Sequence, residues 1–388
     1  MGVAGREERR ECGREDAKAM IISVPRVGSM QFMARDLCGR LGLGFVETPV
    51  YSEKTIERGV AIAPEFVCFP MKVLLGSAID ALEAGADTLV TIAGYGACRF
   101  NYFAEIQRRI LEREGCRFRM VVVDSPWDSL PDFYRNMRMV LRETRAHLPG
   151  LMKAMALALR KGRGYDEIVR NSMALRALEA EEGSVDRAAE ECRKILASAI
   201  SRTEIDEARE AIKARFDEVR LEPERPHIRV GITGELMMSM EPYFNMDIER
   251  WLARKGAVVE RSIYMSDLFT PMGRNPVSGR DDREIDQTSV PYLCHEIGGH
   301  GQINVAAAVN FARNGFDAVL HFFPFTCLPE IIAKMVFVRI AEELDIPILS
   351  ISIDEQTGKA GMQTRLEALI DLAWSRKKKH AASEICCQ

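Results

Sequence analysis

Short apolar, β-branched runs alternate with amphipathic runs of helical length at both ends of this chain, and in the middle the alternation stops. In the first stretch Ile21-Ile22-Ser23-Val24 reads as a strand and Gln31 to Leu41 as a helix ended by Gly42 to Gly44. Phe45-Val46 is a short strand. Pro70 to Ala84 is a helix, Thr88 to Ile92 a strand, Tyr102 to Glu114 a helix and Met120 to Val123 a strand. The last stretch repeats the rhythm. Its strands are Ile228–Ile232, Val258-Val259, Ala318–Phe322 and Pro347–Ile351. Its helices are Ile248–Lys255, Ile303–Asn314, Pro329–Leu344 and Thr364–Trp374. Strands that alternate with helices of this length demand a parallel sheet.

Between the two stretches the sequence is rich in Ala, Leu, Arg and Glu and poor in β-branched residues. It predicts amphipathic helices, with breaks near Lys161–Gly164 and at Gly183, closed by Pro223 and Pro226. The expected fold class is therefore α/β: two Rossmann- or flavodoxin-like parallel-sheet lobes joined by a helical segment. The boundaries are a disordered leader over 1–18, an N-terminal lobe over 19–130, a helical bridge over 131–226, a C-terminal lobe over 227–375 and a frayed tail over 376–388. Pro271 to Gln287 reads as a long surface loop.

Charge and hydropathy remove some functions. Lys and Arg number 53 against 57 Asp and Glu, a formal net charge of -4. That balance is wrong for a general nucleic-acid binder. No apolar run approaches the ~20 residues that span a bilayer. Met1 to Lys18 lacks the apolar core of a signal peptide, so the expected location is the cytoplasm. The ten cysteines are then buried, metal-binding or catalytic thiols rather than disulfides. There is no Walker motif, dinucleotide fingerprint or Gly-x-Ser-x-Gly elbow, so energy from ATP would have to come from a partner.

Three cysteines share one setting. A helix ends at Gly85-Ala86-Asp87, a strand follows and the chain reaches Cys98; in the second lobe Gly315-Phe316-Asp317 is followed by a strand and Cys327. The Gly-to-Cys offsets are 98−85 = 13 and 327−315 = 12. Both thiols are expected just past the C-terminal end of a parallel strand, the edge where open α/β sheets place ligands. Cys68-Phe69-Pro70 and Cys327-Leu328-Pro329 both read Cys-x-Pro before a helix, and Pro suits the first helical turn. A cysteine at a helix N-terminus is expected to form its thiolate more easily. Cys68, Cys98 and Cys327 thus suggest a metal or cluster site assembled between lobes. By spacing alone, a lone cysteine in an α/β protein is more often a small buried hydrophobe.

Of the rest, Cys38 reads as core, and Cys116 and Cys192 have no His or Cys neighbour. Cys12, Cys386 and Cys387 lie in tails. Cys294, in Cys294-His295-Glu296-Ile297-Gly298-Gly299-His300, is either a fourth ligand or a polar loop residue. His295 or His300 could move a proton. Glu235, after a strand, either lines the cleft or caps a helix. Lys72 and Arg99 either neutralise charge at the site or are solvated surface cations. Met237, Met238 and Met240 read as core filling.

Taken together, Cys68-Phe69-Pro70-Met71-Lys72, Gly96-Ala97-Cys98-Arg99-Phe100, His300-Gly301-Gln302, Pro324-Phe325-Thr326-Cys327-Leu328-Pro329-Glu330, Asp354 to Gly361 and Thr364-Arg365-Leu366-Glu367-Ala368 resemble one family. It is the 2-hydroxyacyl-CoA dehydratase D-component-like group, which includes acyl-CoA dehydratase activase-related proteins and double-cubane-cluster reductases. The resemblance runs from about Met20 to Leu372 and is weakest in the bridge.

The resemblance implies an oxygen-sensitive [4Fe-4S] cluster between two lobes, held by three cysteine thiolates that match Cys68, Cys98 and Cys327, with one iron left open. It implies an ATP-hydrolysing iron–sulfur activator as electron donor, an acyl-CoA substrate whose phosphate Lys72 or Arg99 could meet, and radical dehydration of a 2-hydroxyacyl-CoA. A double cubane would need more ligands than the three or four seen, so one cubane is expected. Two other readings stand beside it: a non-catalytic accessory or cluster carrier of an activase, and a two-lobed zinc or small-molecule binding protein. A homo- or heterodimer is compatible with each.

Overall fold

The computed structural model describes residues 20–92, 98–123, 147–269 and 282–386, with single helical positions between 131 and 144. The leader over 1–18, Gly96-Ala97, most of the loop from Pro271 and Cys387 lie outside the described residues.

The N-terminal lobe runs β1 (Ile21–Ser23), α1 (Met30–Leu41), β2 (Gly44–Phe45), α2 (Glu53–Ile62), α3 (Phe69–Glu83), β3 (Thr88–Ile92), α4 (Phe103–Arg113) and β4 (Arg119–Val123). The bridge holds α5 (Leu148–Leu175), α6 (Ser184–Ser198) and α7 (Arg202–Asp217). The C-terminal lobe starts with β5 (Ile228–Gly234), α8 (Leu236–Met240), α9 (Pro242–Asn245), α10 (Ile248–Arg254) and β6 (Ala257–Arg261). It continues with α11 (Asp282–Ser289), α12 (Gly301–Arg313), β7 (Ala318–Pro324), α13 (Leu328–Glu343), β8 (Ile348–Ile353) and α14 (Lys359–Cys386).

Each lobe is built on a four-stranded sheet, ordered β2-β1-β3-β4 in the first and β6-β5-β7-β8 in the second. Every pairing is parallel. The orders are equivalent, so the correspondence read around Cys98 and Cys327 extends to topology. In both sheets the strand order reverses between the first and third strands. Open α/β sheets place ligands outside the strand ends at such a reversal. The residues that follow β1, β3, β5 and β7 therefore hold the two privileged positions. The expected strands all form, because their apolar runs face a sheet covered by helices. β7, Ala-Val-Leu-His-Phe-Phe-Pro, is buried at every position.

The lobes share one continuous core, in which Ile22, Leu75 and Val121 join Val230, Met238 and Phe322. Phe69 meets Phe244 edge-on at 5.7 Å, and Tyr51 packs on Phe244 at 5.0 Å. The Gly28 N–H, after β1, donates to Glu241 Oε1 at 3.0 Å. Burial pushes the Glu241 carboxyl up to about 7, against that N–H and the charge of Arg26. The bridge carries its own small core of Ile168, Val185, Leu196, Ile205 and Ile212. It ties to α1 through Lys161–Asp36 at 2.9 Å and to the C-terminal lobe through the Ser266 N–H on Asp166 at 2.8 Å.

Three expectations change. α5 is continuous through Lys161–Gly164, because these glycines serve contact rather than breakage. A Cβ on Gly162 would lie 2.2 Å from Met33 Sδ, and one on Gly164 3.0 Å from Leu196. The last helix continues through Arg376 to Cys386 instead of fraying. Residues 282–287, the end of the expected loop, belong to a helix that runs to Ser289. Gly183, by contrast, does interrupt the bridge, with φ +79° at the start of α6. Among the described residues no helix is long and apolar enough to cross a membrane.

Candidate functional site

Cys68, Cys98 and Cys327 each occupy the N-cap of a helical turn. Cys68 caps α3, with Pro70 in its first turn. Cys98 caps the 3-10 turn Arg99–Tyr102 that leads into α4. Cys327 caps α13, with Pro329 in its first turn. Cys68 and Cys327 are buried, Cys98 is half-buried, and all are free thiols. The residue before Cys327, Thr326, takes φ +63°. That is an outlier for a β-branched side chain, of the kind that collects at functional sites.

The three thiols share a neighbourhood although they come from different lobes. Charge on Cys98 acts on Cys68, and charge on Cys68 acts on Cys327. Arg99 ties the three turns together. Its guanidinium donates to the Phe66 carbonyl at 2.9 Å, just before Cys68, and to the Thr326 carbonyl, just before Cys327. Gly298 and Gly299 have φ +75° and +56°, which lets their loop pass close by. A Cβ on Gly299 would lie 3.7 Å from Cys98 Sγ and 3.2 Å from Pro329.

Burial dominates the electrostatics. It lifts the Cys68 thiol to about 12, helped by Glu235 and opposed by Arg99 and the Met71 N–H. Cys98 is raised by burial, opposed by the Phe100 N–H and Arg99. Cys327 is raised by burial and then by Glu330, opposed by the Glu330 N–H. The first-turn N–H groups thus face the sulfurs, without closing a cap hydrogen bond. The expectation of an easily formed thiolate is therefore corrected. A helix terminus contributes ~1 kcal/mol, less than one pKa unit, and desolvation with two carboxylates outweighs it. Such thiols give up their protons in exchange for a bound cation.

Of the two roles read for Glu235, the helix cap is the one the fold shows. It caps α8, accepting the Met238 N–H at 3.0 Å, and its charge bears on all three cysteines. Burial raises its carboxyl to about 7, against the N–H groups of Met238 and Met237 and with Glu330 adding to the rise. It can therefore hold or release a proton near neutrality. Lys72, one turn after Cys68, pairs with Glu355 of the other lobe. Lys72 and Arg99 are thus first of all ties between lobes. His300 precedes α12, one residue after the glycine that lies near Cys98. Cys294 and His295 are exposed, and Cys294 is not among the groups acting most strongly on the three thiols.

Sequence reasoning gave no role to Glu330, His321 or Asn304. All are buried, with Glu330 hydrogen-bonded to both of the others. The signal was a histidine inside the apolar strand β7, since a buried polar side chain needs partners.

Among the described residues no three His, Cys, Asp or Glu side chains converge as a single-ion site. No protein-family model and no curated protein matches the chain.

Proposed function

We propose that this chain is an iron–sulfur protein of the 2-hydroxyacyl-CoA dehydratase type. On this reading Cys68, Cys98 and Cys327 hold one [4Fe-4S] cluster in the cleft between the lobes, and an ATP-hydrolysing activator supplies the electron. The observation that carries it is that three free thiols from both lobes cap three helical turns that Arg99 ties to one another. These residues fit the group: thiolates are its ligands, and first-turn N–H groups and Arg99 offset its charge. Thiols that share a neighbourhood without meeting at one point suit a cluster, which spreads its ligands over several irons, better than tetrahedral zinc. When bound, a cluster of this type supplies low-potential one-electron chemistry.

The chain's own residues do the rest. Arg99 locks the three cysteine turns in register. Glu235 exchanges a proton beside the thiols, with His300 at the end of the neighbouring loop as a second proton carrier. A CoA phosphate would have to compete with Glu355 for Lys72. Phe66, Phe325 and Leu328 are exposed close to Cys68 and Cys327 in sequence and offer an apolar rim to acyl chain or activator.

Turnover separates catalyst from carrier. Reduced, loaded protein with activator, ATP and a 2-hydroxyacyl-CoA is expected to release water and the 2-enoyl-CoA. Glu235→Gln should slow this about 10²-fold, the usual contribution of a general acid or base. Loaded protein that leaves the substrate intact would be a carrier.

A further inference from the structure

A fully buried polar chain backs onto Cys327. Glu330, three residues after it, is 1 % exposed. Asn304 Nδ2, from α12, lies 2.9 and 2.8 Å from the two Glu330 oxygens. His321 Nε2, from β7, lies 2.8 Å from Oε2. The amide of Asn304 cannot be turned round. Its Oδ1 accepts the Gly234 N–H at 3.2 Å and the Thr233 hydroxyl at 2.7 Å, and a backbone N–H can only donate. Asn304 therefore donates to Glu330. A carboxylate so placed accepts from His321 as well, which puts the hydrogen on Nε2 and turns Nδ1 to the Ser350 hydroxyl at 3.0 Å. The His321 ring is clamped between Phe323, stacked at 5.1 Å, and Phe337, edge-on at 4.8 Å.

This arrangement costs desolvation of several polar groups, and apolar side chains of similar shape would fill the space. What it secures is the first turn of α13. Glu330 lies in the turn that Cys327 caps, and its side chain is bolted to β7 and α12. We propose that Glu330 is a positioning residue of the thiol site. It fixes Cys327 against the sheet and keeps a buried carboxylate in the turn that Cys327 caps. The inference rests on the cluster reading for its redox consequence and stands without it for its structural one.

The test compares wild type, Glu330→Gln and Glu330→Asp. In metal-free protein, Glu330→Gln is expected to raise alkylation of Cys327 severalfold with Cys192, in the bridge core, unchanged. A merely destabilised protein would expose both, and unchanged Cys327 labelling overturns the inference. In protein loaded without oxygen, Glu330→Gln should be reduced about tenfold more readily at a given solution potential, about 59 mV for a one-electron couple. Glu330→Asp, which keeps the charge, should stay near the wild-type potential. Full iron with an unshifted Glu330→Gln potential overturns the redox consequence, whereas wild type that takes up no iron removes the cluster reading and leaves the labelling result to decide. If Glu330→Gln does not fold, Glu330→Asp carries the labelling test. Its shortened side chain should loosen Cys327, and wild-type labelling would overturn the inference.

Discussion

Cys68→Ala, Cys98→Ala and Cys327→Ala, reconstituted beside wild type without oxygen, are each expected to hold at least about tenfold less iron. Loss of a supporting group alone costs that much at a metal site, and here a ligand goes. Cys38→Ala and Cys192→Ala are the controls. Both thiols are buried, in the N-terminal and bridge cores, so their loss should trim stability by about 1 kcal/mol and leave iron untouched. Cys294→Ala is expected to resemble the controls, because its thiol is exposed; lost iron there would make Cys294 the fourth ligand and the cluster closed. Full iron in both Cys98→Ala and Cys327→Ala would sink the ligand assignment.

The second large effect is steric. α2 and α3 approach so closely that a Cβ on Gly59 would lie 1.8 Å from the Lys72 carbonyl oxygen, and one on Gly76 1.9 Å from that of Thr55. Both obstacles are backbone and cannot swing aside. Gly59→Ala should therefore cost about 3 kcal/mol or more, the upper range of overpacking, read as a lowered urea midpoint. Since α3 presents Cys68 and Lys72, iron binding should fall with it. Gly39→Ala on α1 meets nothing within 4 Å and should stabilise by up to ~1 kcal/mol. A Gly59→Ala protein with wild-type stability would contradict the helix contact.

Much of this fold could be read from the sequence because each strand announced itself locally. Ile21–Ser23, Thr88–Ile92 and Ala318–Pro324 are apolar, β-branched or aromatic, and bounded by turn residues. Cys-x-Pro marked two helix starts for a local reason too, the fixed φ of proline. What escaped depended on distance. α2 went unread although Ser52 and Thr55 form a reciprocal capping box at its start; its short apolar stripe gains meaning only against α3. Gly162 and Gly164 looked like breaks because Met33 and Leu196, which need the room, lie far off in sequence. Glu330, His321 and Asn304 meet only once parallel pairing sets β7 beside β5. The acidity of the thiols was misjudged for a related reason. The helix terminus is visible in sequence, whereas the burial that takes Cys68 from 9.0 to about 12 is a property of the packed lobes.

The central claim is that three thiols from two lobes hold one cluster. Iron and acid-labile sulfide per chain, on protein purified without oxygen, test it most directly. The expected result is about four of each, the content of one [4Fe-4S] cluster. About twice that would point to a double cubane. No iron after anaerobic reconstitution with iron and sulfide would contradict the claim and return the three cysteines to the packed core.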